Sequence, residues 1–169
     1  MELQEALLKR RSVRSFKDTA VSKEDIDTIL HMATAGPSAM NKKPWEFYVV
    51  TNKEVLKELR GVGAYKGYES PLAIVVAGNL KEALPSTMQE YWIQDCSAAT
   101  ENVLLAATDL GLGSVWCGVY PQETTVKNVQ RVLSLPEHII PLNVIYIGYP
   151  SDEVESRDQF TESKNHFIK

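Results

Sequence analysis

Arg10, Arg11 and Arg14, with Ser12 between them, put three guanidinium groups and a hydroxyl inside five residues. Arginine offers a planar fork of donors that matches a phosphate or an electron-rich ring edge. If the run Arg10-Arg11-Ser12-Val13-Arg14 is extended, Ser12 and Arg14 share one side while Val13 points the other way. Such a strip would engage several points of a long polar ligand. The same residues also suit a solvated basic helix end, favoured by the helix dipole.

Three further segments have the means to meet a ligand. In Pro37-Ser38-Ala39-Met40-Asn41, followed by Lys42-Lys43-Pro44-Trp45, prolines fix the backbone and small residues leave room for a flat group. These are also ordinary turn residues for a helix-to-strand loop. In Gly111-Leu112-Gly113-Ser114-Val115-Trp116-Cys117-Gly118, glycines at both ends let the main chain pass close to a ligand and donate to it. A helix C-cap running into a buried strand reads the same way. Arg157 and Gln159 stand in a polar tail that has little reason to be ordered unless it embraces another subunit; a frayed terminus is the alternative.

The elements that must position these residues are legible from periodicity. A short amphipathic helix opens the chain through Leu3, Ala6, Leu7 and Leu8. Ser22 is placed to cap a helix carrying Ile26, Ile29, Leu30 and Ala33 on one face. Trp45 to Val50 is a strand, Lys53 to Arg60 a helix, and the glycines at 61, 63 and 67 make a mobile loop. Leu72 to Ala77 is a continuous apolar strand, the kind covered on both faces. The longest helix runs from about Gln89 to Leu110, and its alanines suit close packing against a neighbouring helix. Ser114 to Tyr120 is a strand, Thr125 to Leu133 a helix, Leu142 to Tyr149 the last strand, and the remainder extended. This order fits a mixed α/β sandwich or a doubly wound sheet, and periodicity alone does not choose.

The bulk numbers bound the function. With 169 residues the chain makes one domain, residues 1–169, with an arm from about 150 to 169. A net charge of -4 argues against general nucleic-acid binding. No run approaches the ~20 apolar residues of a membrane span. Two cysteines without a disulfide-type scaffold point to a reducing, cytoplasmic setting. There is no Walker loop, no dinucleotide fingerprint, no Gly-x-Ser-x-Gly elbow, and no histidine in a metal-binding pattern. Cys117 reads as a small buried strand residue rather than a nucleophile. Enzymatic chemistry would then come from a cofactor held by the protein.

Together, and in this order, these segments resemble the FMN-dependent nitroreductase family, from Arg10 to Asn165-His166-Phe167. The resemblance implies an α+β fold: a three-layer αβα sandwich on a mainly antiparallel sheet, its C-terminal arm exchanged across a homodimer. It implies FMN at the interface, with NADH or NADPH as a transient electron donor. By matched position, Arg10 and Arg11 serve the phosphate end, Ser12 the ribityl–phosphate region and Arg14 the pyrimidine edge. Pro37, Ser38, Ala39, Met40 and Asn41 form the partner subunit's wall. Cys117 and Gly118 bring main-chain amides to flavin N5, and Arg157 is the C-terminal phosphate ligand. Gln159 stands where the family often has a second cation. The implied reaction is ping-pong reduction of small acceptors such as nitroaromatics or quinones. Dehalogenation, azoline dehydrogenation, flavin breakdown and a non-catalytic flavin carrier are the alternatives. Tyr65, Tyr68, Tyr91 and Trp92 are candidates for stacking on an acceptor or for packing.

Overall fold

The computed structural model describes residues 1–62 and 68–168. The glycines at 63 and 67 and Tyr65 lie outside the described residues.

The helices are α1 (Leu3–Lys9), α2 (Lys23–Ala33), α3 (Lys53–Val62), α4 (Tyr91–Asp109) and α5 (Glu123–Leu133). The strands are β1 (Trp45–Val50), β2 (Leu72–Asn79), β3 (Gly113–Gly118) and β4 (Ile139–Gly148). The strands form one sheet in the order β1-β2-β4-β3, every pair antiparallel. α2 and α4 cover one face, with α1 packed against α4; α3 and α5 cover the other. This is the three-layer αβα sandwich expected, not the doubly wound sheet.

The pleat explains the layers. Along β2, Leu72, Ile74 and Val76 enter the core shared with α2 and α4, while Ala73 and Val75 enter the one shared with α3 and α5. Both faces being covered, all eight residues of β2 are buried, which is why its sequence is a continuous apolar run. Ser22 caps α2 as its position predicted, its Oγ accepting the Asp25 N–H at 3.0 Å. Trp92 is a packing residue: it is buried over Gly78 and meets Tyr120 edge-to-face at 5.1 Å.

Boundaries depart from periodicity where local chemistry intervenes. β4 starts at Ile139 rather than Leu142, because Pro141 sits at a register shift where a missing N–H breaks no ladder. β3 ends at Gly118 rather than Tyr120, because the amides of Val119 and Tyr120 both turn to the Leu142 carbonyl, at 2.9 and 3.1 Å. α4 starts at Tyr91, after a 3₁₀ turn over Ser86–Met88. No helix among the described residues is long and apolar enough to cross a membrane.

Candidate functional site

The arginine strip is extended and pinned to the edge of the sheet. α1 stops at Arg10, whose φ of -58° and ψ of 123° turn the chain out of the helix. Val13 N–H then donates to the Ser114 carbonyl at 2.9 Å, and Ser12 forms a parallel bridge with Ser114. Lys17 N–H donates to the Tyr149 carbonyl at 2.8 Å, and Phe16 bridges Pro150. Val13 packs on Gly113 so closely that a β-carbon there would lie 2.7 Å from Val13 Cβ. Gly113 therefore serves packing rather than ligand approach. Ser12 and Arg14 are exposed and Val13 is half-buried, the alternation expected of an extended strip.

The cations differ in what they touch. Arg10 Nε lies 3.4 Å from Glu101 Oε1 on α4. Arg14 Nη1 donates to the Ser12 carbonyl at 3.2 Å. Among the described residues, Arg11, Arg14 and Arg157 have no carboxylate within 4.0 Å. The Arg157 N–H donates to the Leu8 carbonyl at 3.0 Å, which brings the tail back to the end of α1. Gln159 is exposed, its carbonyl accepting from Thr161 at 3.4 Å. Arg11, Ser12 and Arg14 line an open cleft of about 540 Å³, whose other wall carries Asp152, Glu153 and Glu155. That volume lies within the ~300–1,000 Å³ of small-molecule sites. The acidic wall means that the cations, not the cleft as a whole, must select an anion.

At the far end of β3, Cys117 is half-buried rather than fully buried. Burial pushes its thiol up to about 11, opposed in part by the Arg14 guanidinium. It is therefore a neutral thiol near pH 7 and a poor nucleophile. Gly118 is exposed, with no atom within 4 Å of the place a β-carbon would take. Amide direction alternates along a strand. Ser114 turns outward to Val13 and Val119 turns inward to Leu142, so the Gly118 N–H points away from the sheet and that of Cys117 points into it. Of the two expected amides, Gly118 has the one free to meet a ligand.

The Pro37–Asn41 segment lies elsewhere. It follows Gly36, which packs on Ala98 of α4, and its Ala39 N–H donates to Asp95 Oδ1 at 2.7 Å. Ser38 Oγ accepts the Lys43 N–H at 2.9 Å. Met40, Asn41 and Lys43 have φ of 49°, 57° and 51°. Met40 and Lys43 each bear the ~1–2 kcal/mol penalty of a side chain in the left-handed region, so surrounding bonds must enforce the shape. Among the described residues no hydrogen bond joins this segment to the arginine strip. The chain thus sets Arg11, Ser12 and Arg14 along one cleft and returns Arg157 to the end of α1, while the second segment is tied to α4 through Asp95.

Sequence reasoning missed Glu101, Asp95 and the acidic wall. No linear motif announces them, because each acts across the fold on a residue far away in the chain.

The nitroreductase family model matches residues 7–64 and 60–149. A protein of Methanothermobacter thermautotrophicus, provisionally named NADH dehydrogenase/NAD(P)H nitroreductase, is 44% identical over 100% of this chain and 88% of its own length. An FMN reductase (NADPH) of Bacillus subtilis is 27% identical, covering 88% of this chain and 66% of its own. The structure of an FMN-dependent nitroreductase from Clostridium difficile R20291 superposes with a TM-score of 0.89 at 32% identity, covering 99% of each chain. With its fold, its arginine strip and these likenesses in agreement, the chain belongs to the nitroreductase family.

Proposed function

We propose that this chain is an FMN-dependent NAD(P)H oxidoreductase that works as a homodimer and reduces small acceptors such as nitroaromatics or quinones. The observation that carries the reading is the return of Arg157 to the end of α1, beside Arg10 and the strip that follows it. Arg10 and Arg157 are 147 positions apart in sequence, and a shared anion is the reason for bringing the two cations to one end of α1.

The residues present fit an FMN. Arg10, Arg11, Ser12 and Arg157 take the phosphate end, where charge-assisted donors are strongest. Gln159 adds a donor without charge. Arg14, further along the strip and near Cys117, takes the pyrimidine edge. The outward Gly118 N–H serves the N5 side, with no side chain to obstruct it. When bound, the flavin supplies acceptance and return of hydride. Arg14 holds positive charge where the reduced form concentrates negative charge, which favours reduction. No side chain at the site is needed as an acid or base; solvent supplies the acceptor's proton.

Pro37, Ser38, Ala39, Met40 and Asn41 serve the partner's flavin. Among the described residues no hydrogen bond joins them to the strip within the chain, which supports this, as does the surface area. The chain exposes 10407 Å², against about 8,300 Å² for a compact monomer of 18.9 kDa. In the arm Phe160, Phe167 and Ile168 lie open to solvent, as apolar residues that await an exchanged position on the partner would. The free thiols of Cys96 and Cys117 support a reducing, cytoplasmic setting.

The test is the visible spectrum of purified protein, followed by anaerobic NADH or NADPH. A flavin spectrum that bleaches with donor and returns with a nitroaromatic or quinone is expected. Colourless protein that takes up no FMN would overturn the reading. Yellow protein that neither donor bleaches would reduce it to a flavin carrier.

A further inference from the structure

We infer that Asp95 is a positioning residue for the flavin site: its carboxylate sets the shape of the Pro37–Asn41 wall through the Ala39 amide. The inference rests on the flavin-site reading above.

Asp95 lies in the first turns of α4, on the helix face turned to the protein, and is 5% exposed. A carboxylate buried there loses most of its hydration, a loss that a fold ordinarily compensates with a cation. Among the described residues no Lys, Arg or His lies within 4.0 Å of it. Its recorded partner is the Ala39 N–H, at the 2.7 Å of a charge-assisted bond. The neighbours Cys96 and Ala99 show that this helix face accepts small uncharged residues. An acid at this position is therefore an expense that its one bond must justify.

That bond falls where the loop needs it. Ala39 opens the 3₁₀ turn Ala39–Asn41, immediately before the left-handed residues Met40 and Asn41. The Ser38 hydroxyl ties the loop only to itself, through Lys43. Among the described residues, the Asp95 contact is the one side-chain hydrogen bond that anchors residues 37–43 to the body of the fold. Without it the strained turn keeps no side-chain hydrogen bond to α4, and Met40, 78% exposed, loses its defined place.

Three variants of the full-length protein test this: D95A, D95N and A39P. D95A removes the acceptor. D95N keeps an oxygen in the same place. A39P removes the donor without altering α4, and Ser38, at φ -138° and ψ 151°, already has the conformation that a following proline requires. FMN affinity is titrated by fluorescence, and the flavin's visible circular dichroism is recorded in each holoprotein. D95A and A39P are expected to weaken FMN by ~10-fold or more and to change the dichroism, while D95N stays within ~3-fold with the wild-type spectrum. If D95A does not fold, A39P and D95N decide. Wild-type affinity and dichroism in D95A or A39P would overturn the inference, as would a loss in D95N equal to that in D95A. Wild-type protein that binds no FMN would sink the site reading and this one together; wild-type protein that binds FMN beside a silent D95A sinks only this one.

Discussion

The main-chain N–H of Arg157 donates to the carbonyl of Leu8 at 3.0 Å. Leu8 is in the last turn of α1, where carbonyls have no partner within the helix. The tail satisfies one of them and so returns the main chain at Arg157 to the end of α1, where Arg10 is the C-cap.

Arg10→Ala removes one of the gathered cations. The loss of a charge-assisted contact of roughly 1.5–3 kcal/mol should weaken FMN by at least ~10-fold. Fluorescence titration of apoprotein measures it, and unchanged affinity would refute the phosphate assignment. Glu101→Gln, which frees Arg10 from its acidic neighbour, should leave affinity equal or tighter.

Arg14→Gln should make the bound flavin harder to reduce. Removing one charge at partly screened range amounts to roughly 1–2 kcal/mol, a shift of about 20–45 mV to more negative potential for two electrons. Spectroelectrochemistry reads this directly. A potential that stays put would place Arg14 away from the ring.

Two glycines on one strand should respond oppositely. Gly113→Ala drives a β-carbon against Val13, an overpacking worth ~1–3 kcal/mol, and should lower Tm by roughly 2–4 °C per kcal/mol. Gly118→Ala meets nothing, so the apoprotein should melt as wild type while FMN binding weakens. Thermal melts and titrations of both variants separate packing from ligand approach.

The Cys117 thiol yields a pH prediction. Its value is raised by burial from 9.0 to about 11, so the folded chain holds that proton more tightly than the unfolded one. Its contribution is complete below pH 9 and fades as pH climbs through about 11. Denaturant melts across this range should show a decline that is shallower in Cys117→Ala. Identical slopes would remove Cys117 as a cause.

Deleting residues from Glu155 onward removes Arg157 and the exposed apolar end of the arm. Both dimer stability and flavin retention should fall, as read by sedimentation and absorbance. A stable yellow dimer after the deletion would refute the embracing arm.

Much of this site was written in local pattern. The strip's alternation, the Ser22 cap and the doubly covered β2 each depend on neighbours in sequence, and each stands as the residues foretold. Gly113 shows the limit. Its place between a helix and a strand reads as freedom for a ligand, yet the ridge it avoids is Val13, 100 residues earlier. The last strand likewise begins three residues before the Leu142 that periodicity gave, because β2 lies beside Pro141 with a register shift that receives it. Asp95 and Glu101 were illegible for the same reason: an acid in an amphipathic helix has no meaning until the backbone or cation opposite is known.

The hydrogen bond from Val13 to Ser114 has a consequence for solubility. β3 is an outer strand, and uncovered outer strands recruit other chains into growing sheets. By lying along Ser114, the strip withholds the first half of that border from intruders. A chain stripped of residues 10–16 should therefore be short of more than a ligand: it would present Ser114 to Gly118 as a bare template, and would be prone to self-association.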